Sequence, residues 1–192
     1  MATDTRERIL VAGIACFAED GFSGTTTRKV ASAAGVNVAT LAYHFGGKAG
    51  LYLAAIDHLY EQLRDVQPDL AAAGGTPAER VETLLRLAFR FARAHQTKIR
   101  LLLRHVLEQG SLPSRVRDEW ISELLERVEG MWVGLGLPPD PAWKLKLLTL
   151  NHLVSRYAIS EPPDLAPFVA GSEPHAAIED HLVEVALGLF VL

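Results

Sequence analysis

Apolar positions in this chain recur three and four residues apart almost throughout, and no stretch alternates convincingly with a period of two. That spacing predicts an all-α protein of about nine helices. Ile9, Ala12, Gly13, Cys16 and Phe17 mark the stripe of a first helix. Asp4 can cap it, with Glu7 three residues on, and it ends near Asp20 and Gly21. A threonine-capped helix follows, carrying Lys29, Val30, Ala31 and Ala34, and stops at Gly35; Asn37 then caps a short helix over 38–44. A fourth helix is predicted over 48–66, ending before Pro68, and the AAAGG stretch at 71–75 reads as the seam between two parts of the chain. Thr76, Pro77 and Glu79 supply a cap, an N1 proline and a capping-box glutamate for a helix reaching about residue 95. Further helices are predicted over 98–108, 113–133, 142–159 and 174–192, with breaks at Gly110, at GLGLPPDP (134–141) and at a loop holding Pro162, Pro163 and Pro167.

The segment TTTRKVASAAGVNVATLAYHFGGK, residues 25–48, carries most of the functional information. Two short helices joined through a glycine form a helix-turn-helix, which lays its second helix in the DNA major groove. Val30, Ala34, Val36 and Leu41 can form the small core between the helices, with Phe45 closing it. Val38, Ala39, Thr40, Tyr43 and His44 then lie on the outer face of the second helix. They offer methyl groups to thymine, and hydroxyls or an imidazole to base edges and phosphates. Thr27 and Arg28, at the start of the preceding helix, suit a phosphate or a nearby base, and Lys48 can reach the backbone as a point charge.

The first sixty or so residues resemble the DNA-binding domain of the TetR family (TetR/AcrR type) of transcriptional regulators. The matching residues are Gly21-Phe22, Thr25-Thr26, Arg28, Val30-Ala31, Ala34-Gly35-Val36, Thr40-Leu41, Tyr43-His44-Phe45, Lys48 and Leu51. The NVAT and YHFGGK wording is also similar to a subgroup of the family that includes regulators of efflux genes. The resemblance implies a three-helix DNA-binding head over 1–50, a connecting helix over 48–66, and a helical effector-binding and dimerisation body over 67–192. It further implies that Thr27, Arg28, Val38, Ala39, Thr40, Tyr43, His44 and Lys48 occupy the DNA-facing positions. Ala42 stands where the family usually has an aromatic residue, and Val38 where a polar or basic one is common, and both departures weaken any carry-over of the family's operator sequences.

Charge sharpens this picture. Residues 1–50 hold five Lys/Arg and four Asp/Glu, a net +1, whereas 51–192 hold fourteen and nineteen, a net −5. A few placed cations and helix N-termini must therefore make the phosphate contacts, and affinity should fall with salt. Cys16 is the single cysteine and reads as a buried small hydrophobe. No basic-plus-apolar leader is seen at Met1 and no apolar run nears the roughly 20 residues of a membrane span, so a cytoplasmic protein is expected.

In the body, Leu150 and Leu153 on one helix and Leu182, Val185 and Leu189 on the last exceed what one core-facing stripe needs. These residues can form a four-helix interface with a second copy. A homodimer also suits the DNA reading, since two recognition helices about 34–36 Å apart read a palindrome. Phe89, Trp120, Met131, Asn151, His152 and Tyr157 are candidates to line an effector pocket, mainly because the family resemblance implies one. Arg86, Arg104 and His105 are candidates for an anionic ligand group.

Phosphate-loop, nucleophile-elbow and paired-histidine metal patterns are all missing. The expectation is thus a regulator and not an enzyme, with no cofactor and no metal. It is a ligand-responsive repressor that binds a palindromic operator in double-stranded DNA as a homodimer and is released by a small apolar or amphipathic effector. The rival is a helical module whose hairpin docks another protein.

Overall fold

A computed structural model describes residues 4–65, 75–111, 116–134, 140–171 and 173–190; the side chains of residues 63–65, 116, 120, 127, 131 and 132 are outside that description. Every regular element among the described residues is helical, so the protein is all-α. The helices are α1 (Thr5–Gly24), α2 (Thr27–Ala34), α3 (Val38–Phe45), α4 (Lys48–Asp65), α5 (Pro77–Ala94), α6 (Gln96–Gln109), α7 (Ile121–Gly134), α8 (Trp143–Ala158), α9 (Pro162–Leu165) and α10 (Pro174–Phe190). A π-helical turn, Val116–Trp120, precedes α7, and a 3-10 turn, Ala166–Phe168, follows α9.

The chain forms two compact units. One joins residues 1–66 to 97–120; the other joins 67–96 to 121–192. By their contacts, 97–120 thus group with residues 1–66. The reason lies in side chains: Leu101, 1% exposed, joins the head core of Ile9, Phe17, Val30, Leu41, Leu51 and Ile56. Arg104 donates to the carbonyl oxygens of Ala18 (3.1 Å) and Glu19 at the end of α1.

Local chemistry explains the helix ends. The α5 cap forms as expected: the Glu79 amide donates to Thr76 Oγ1 (3.3 Å) and the Thr76 amide to Glu79 Oε2 (2.7 Å). The backbone amide of Thr76 also holds the Glu79 carboxyl below its usual pKa. Asp4 does not act as predicted. Its exposed side chain makes no capping bond, and α1 starts through the Arg8 amide donating to the Asp4 carbonyl (3.0 Å). The prolines at 162–167 form no open loop. Proline's fixed φ suits a first helical turn, and buried Leu165 anchors α9. Over 113–133 the predicted single helix is interrupted, because 116–120 wind as a π turn. The seam at 71–75 lies outside the described residues except for Gly75, as do 135–139, 112–115 and Leu192.

In the second unit α5, α8 and α10 pack on one another around Leu85, Phe89, Val154, Leu182 and Ala186. Glu179 on α10, 9% exposed, pairs with Arg86 (3.3 Å) and Arg90 (2.8 Å) on α5. Arg93 Nη1 donates to the carbonyl oxygens of Ala158 (2.9 Å) and Ser160 (3.4 Å), satisfying the C-terminal end of α8. No helix among the described residues is long and apolar enough to cross a membrane.

Candidate nucleic-acid interface

The candidate interface comprises α2 and α3. Thr26 caps α2, its Oγ1 accepting from the Lys29 amide (3.1 Å). Its neighbour Thr25 is buried instead, and its hydroxyl donates to the Gly21 carbonyl oxygen (2.7 Å) where α1 ends. Thr27, half-buried, and Arg28, exposed, thus occupy the first turn of α2, where free amides and the helix dipole favour an anion. Gly35 ends the helix in the left-handed conformation (φ 64°), which glycine adopts without a Cβ clash. The Val36 amide bonds back to the Ala31 carbonyl oxygen (2.9 Å), so the turn is short.

Asn37 starts α3. Its Oδ1 accepts from both the amide (2.7 Å) and the hydroxyl (2.9 Å) of Thr40. Leu41, fully buried, and Phe45 turn inward onto Val30, Ala31 and Ala34. The opposite face shows Val38 (42% exposed), Ala39, Ala42 and Tyr43 (86% exposed) to solvent. His44 is half-buried, its ring edge-on to Tyr43 with centroids 5.3 Å apart. Ala42 was absent from the predicted contact set. Helical spacing gave the signal, since it stands three and four residues beyond Ala39 and Val38.

The head's cations are not equally available. Lys29 pairs with Glu19 (3.2 Å) and Asp20 (2.5 Å), and these carboxylates raise its pKa. Lys48 Nζ donates to the carbonyl oxygens of Phe22 (2.9 Å) and Thr25 (3.2 Å) and lies 4.4 Å from the centre of the Phe22 ring. It braces α4 against the end of α1, which the predicted phosphate role did not foresee.

Other predicted positions fall as follows. Phe89 lies in the core of the second unit, Asn151 and His152 are exposed on α8, and Tyr157 is half-buried. These residues do not share one environment, and the side chains of Trp120 and Met131 lie outside the described ones. Leu150 and Leu182 are buried within the second unit, whereas Leu153, Val185 and Leu189 are half-buried. Arg86 is occupied by Glu82, Glu179 and Asp180. His105 is buried 2.8 Å from the Tyr52 hydroxyl, and Arg104 is spent on α1, so none of the three is a free anion site.

Known proteins agree with the geometry. Residues 9–55, spanning α1 to α4, match the family of bacterial regulatory proteins described as the tetR family. The chain is 32% identical over 125 residues to a probable HTH-type transcriptional regulator, YttP, of Bacillus subtilis, covering 65% of this chain and 59% of that one. It therefore spans about three fifths of that relative's length. It is 28% identical over 132 residues to the HTH-type transcriptional repressor KstR2 of Mycobacterium tuberculosis, covering 67% of this chain and 62% of that one. The solved structure of KstR2, a ketosteroid transcriptional regulator, superposes with a TM-score of 0.69 at 20% identity, covering 98% and 96% of the two chains. AibR, solved with isovaleryl coenzyme A and operator DNA, superposes with a TM-score of 0.68 at 16% identity, covering 94% of this chain and 96% of that one. With the helix-turn-helix assembled as the matching residues require, residues 9–55 form a domain of the type described for the tetR family of bacterial regulatory proteins.

Proposed function

We propose that this protein is a ligand-responsive transcriptional repressor that binds a palindromic operator as a homodimer. One observation carries the reading. α3 is held by an inward face of Leu41 and Phe45 and presents Val38, Ala39, Ala42 and Tyr43 outward, beside the exposed Arg28 at the α2 N-terminus. Thr27 and Arg28 take phosphate, and α3 enters the major groove. Thr40 and His44 flank that face, and Lys48 supports it from behind. Nothing in this arrangement favours the rival protein-docking hairpin. Gene regulation without enzymatic activity, in the cytoplasm, follows from the same reading.

The second unit supplies dimerisation and effector binding. Leu150 and Leu182 are committed to their own subunit, so the dimer contact falls to Leu153, Val185 and Leu189, joined by exposed Leu145 and Leu148. The effector is small and apolar or amphipathic, as the AibR complex with an acyl-coenzyme A supports by analogy. It acts by binding better to a state whose heads are misplaced for the operator. The test uses purified full-length chain and the DNA upstream of its own gene. Dimeric, salt-dependent binding that an added apolar ligand reverses supports the proposal. A strict monomer, or binding without sequence preference, sinks it.

A further inference from the structure

The outward face of α3 is chemically narrow, and this limits which bases it can read. The helix, VATLAYHF, holds no Arg, Lys, Asn, Gln, Asp or Glu. Guanine is read by Arg or Lys, adenine by a bidentate amide and cytosine by a carboxylate, whereas the thymine 5-methyl is read by apolar contact. The adjoining amide, Asn37, cannot serve adenine in bidentate fashion, because its Oδ1 already accepts twice from Thr40. The Thr40 hydroxyl has in turn given its proton to Asn37 and can only accept. What remains outermost is the methyl-rich surface of Val38, Ala39 and Ala42, with Tyr43 beside it.

We infer that α3 selects its half-site chiefly by packing Val38, Ala39 and Ala42 against thymine methyl groups, so that methyl contacts outweigh base hydrogen bonds from Tyr43 or His44 in operator choice by this helix. The inference rests on the proposed DNA-binding function and names the sequence class that function takes. A half-site must place thymines where α3 enters the groove. Phosphate contacts from the α2 N-terminus set the register without informing that choice.

The experiment starts from duplexes selected out of random DNA by the full-length chain. In the best duplex, thymines are replaced by uracil one symmetric pair at a time, which deletes the 5-methyl and keeps base pairing. Dissociation constants are measured by fluorescence anisotropy at one salt concentration. Burial of one methyl is worth about fourfold in affinity, so at least one symmetric pair should cost about fifteenfold. Val38→Ser should erase the penalty at the thymine it covers while keeping the fold, checked by circular dichroism. Equal affinity for thymine and uracil at every pair, with selectivity over scrambled DNA retained, would overturn the inference and leave the DNA-binding function standing. No preference for any duplex would overturn both.

Discussion

The Tyr52 hydroxyl on α4 lies 2.8 Å from Nδ1 of His105 on α6, and both side chains are buried. This bond crosses 53 residues of sequence and helps join 97–120 to residues 1–66. Burial pushes the Tyr52 hydroxyl up to about 12, with Glu108 adding to the rise and Arg104 opposing it, so the phenol stays protonated and able to donate.

The pair makes the head acid-sensitive. Burial holds the His105 imidazole below its ordinary 6.5, with Glu108 opposing, and burial lowers His58 as well. The unfolded chain therefore binds more protons than the folded one as pH falls past 6.5. Stability present above that pH is lost below it. Thermal unfolding followed from pH 8 to pH 5 should show a falling midpoint, and His105→Gln should flatten part of the slope, leaving the share of His58. Tyr52→Phe should cost about 1–3 kcal/mol at neutral pH, because His105 loses its partner in a buried place. An unchanged slope in His105→Gln would refute the assignment.

Arg28 and Lys48 should separate cleanly. Arg28→Ala should leave the melting temperature in place and reduce the salt slope of operator binding by about one per half-site. Lys48→Ala should lower stability by about 1–3 kcal/mol, since two carbonyl oxygens lose a charged donor. Melting curves together with affinities at several salt concentrations check both. A stable Lys48→Ala chain with only a reduced salt slope would restore the simple phosphate role.

Asn37→Ala removes the cap of an eight-residue helix that is too short to stand alone. Stability should fall by about 1 kcal/mol and operator affinity with it, while dimerisation measured by sedimentation is unchanged. Full affinity in this variant would show that α3 is held by packing alone.

Gly50 sits in α4 directly against the Phe45 carbonyl oxygen, and a Cβ there would overlap backbone that cannot rotate away. Gly50→Ala should destabilise the head by about 1–3 kcal/mol by forcing α3 and α4 apart. Gly130 in α7 has open space around its Cβ position, so Gly130→Ala should stabilise by about 0.5–1 kcal/mol. Denaturant unfolding of the two variants compares them directly, and equal effects would contradict the geometry.

Much of the head was legible in order along the chain, because its determinants are local. The Gly35 turn, the Asn37 cap and the inward spacing of Val30, Leu41 and Phe45 all follow from residues a few positions apart, as does the Thr76–Glu79 box of the second unit. The same spacing placed Val38, Ala39 and Tyr43 on one outward face. Sequence alone thus determined the all-α class, the helix-turn-helix and the chemical poverty of the outward face of α3. Tertiary structure decided the rest. That Lys48 and Lys29 are engaged, that His105 is a buried partner of Tyr52, that Gly50 meets Phe45, and that 97–120 belong with the head depend on pairs brought together by packing. A side chain's availability is set by its nearest atoms, and for these residues those atoms come from other helices or from beyond their own turn, where no period or motif reaches.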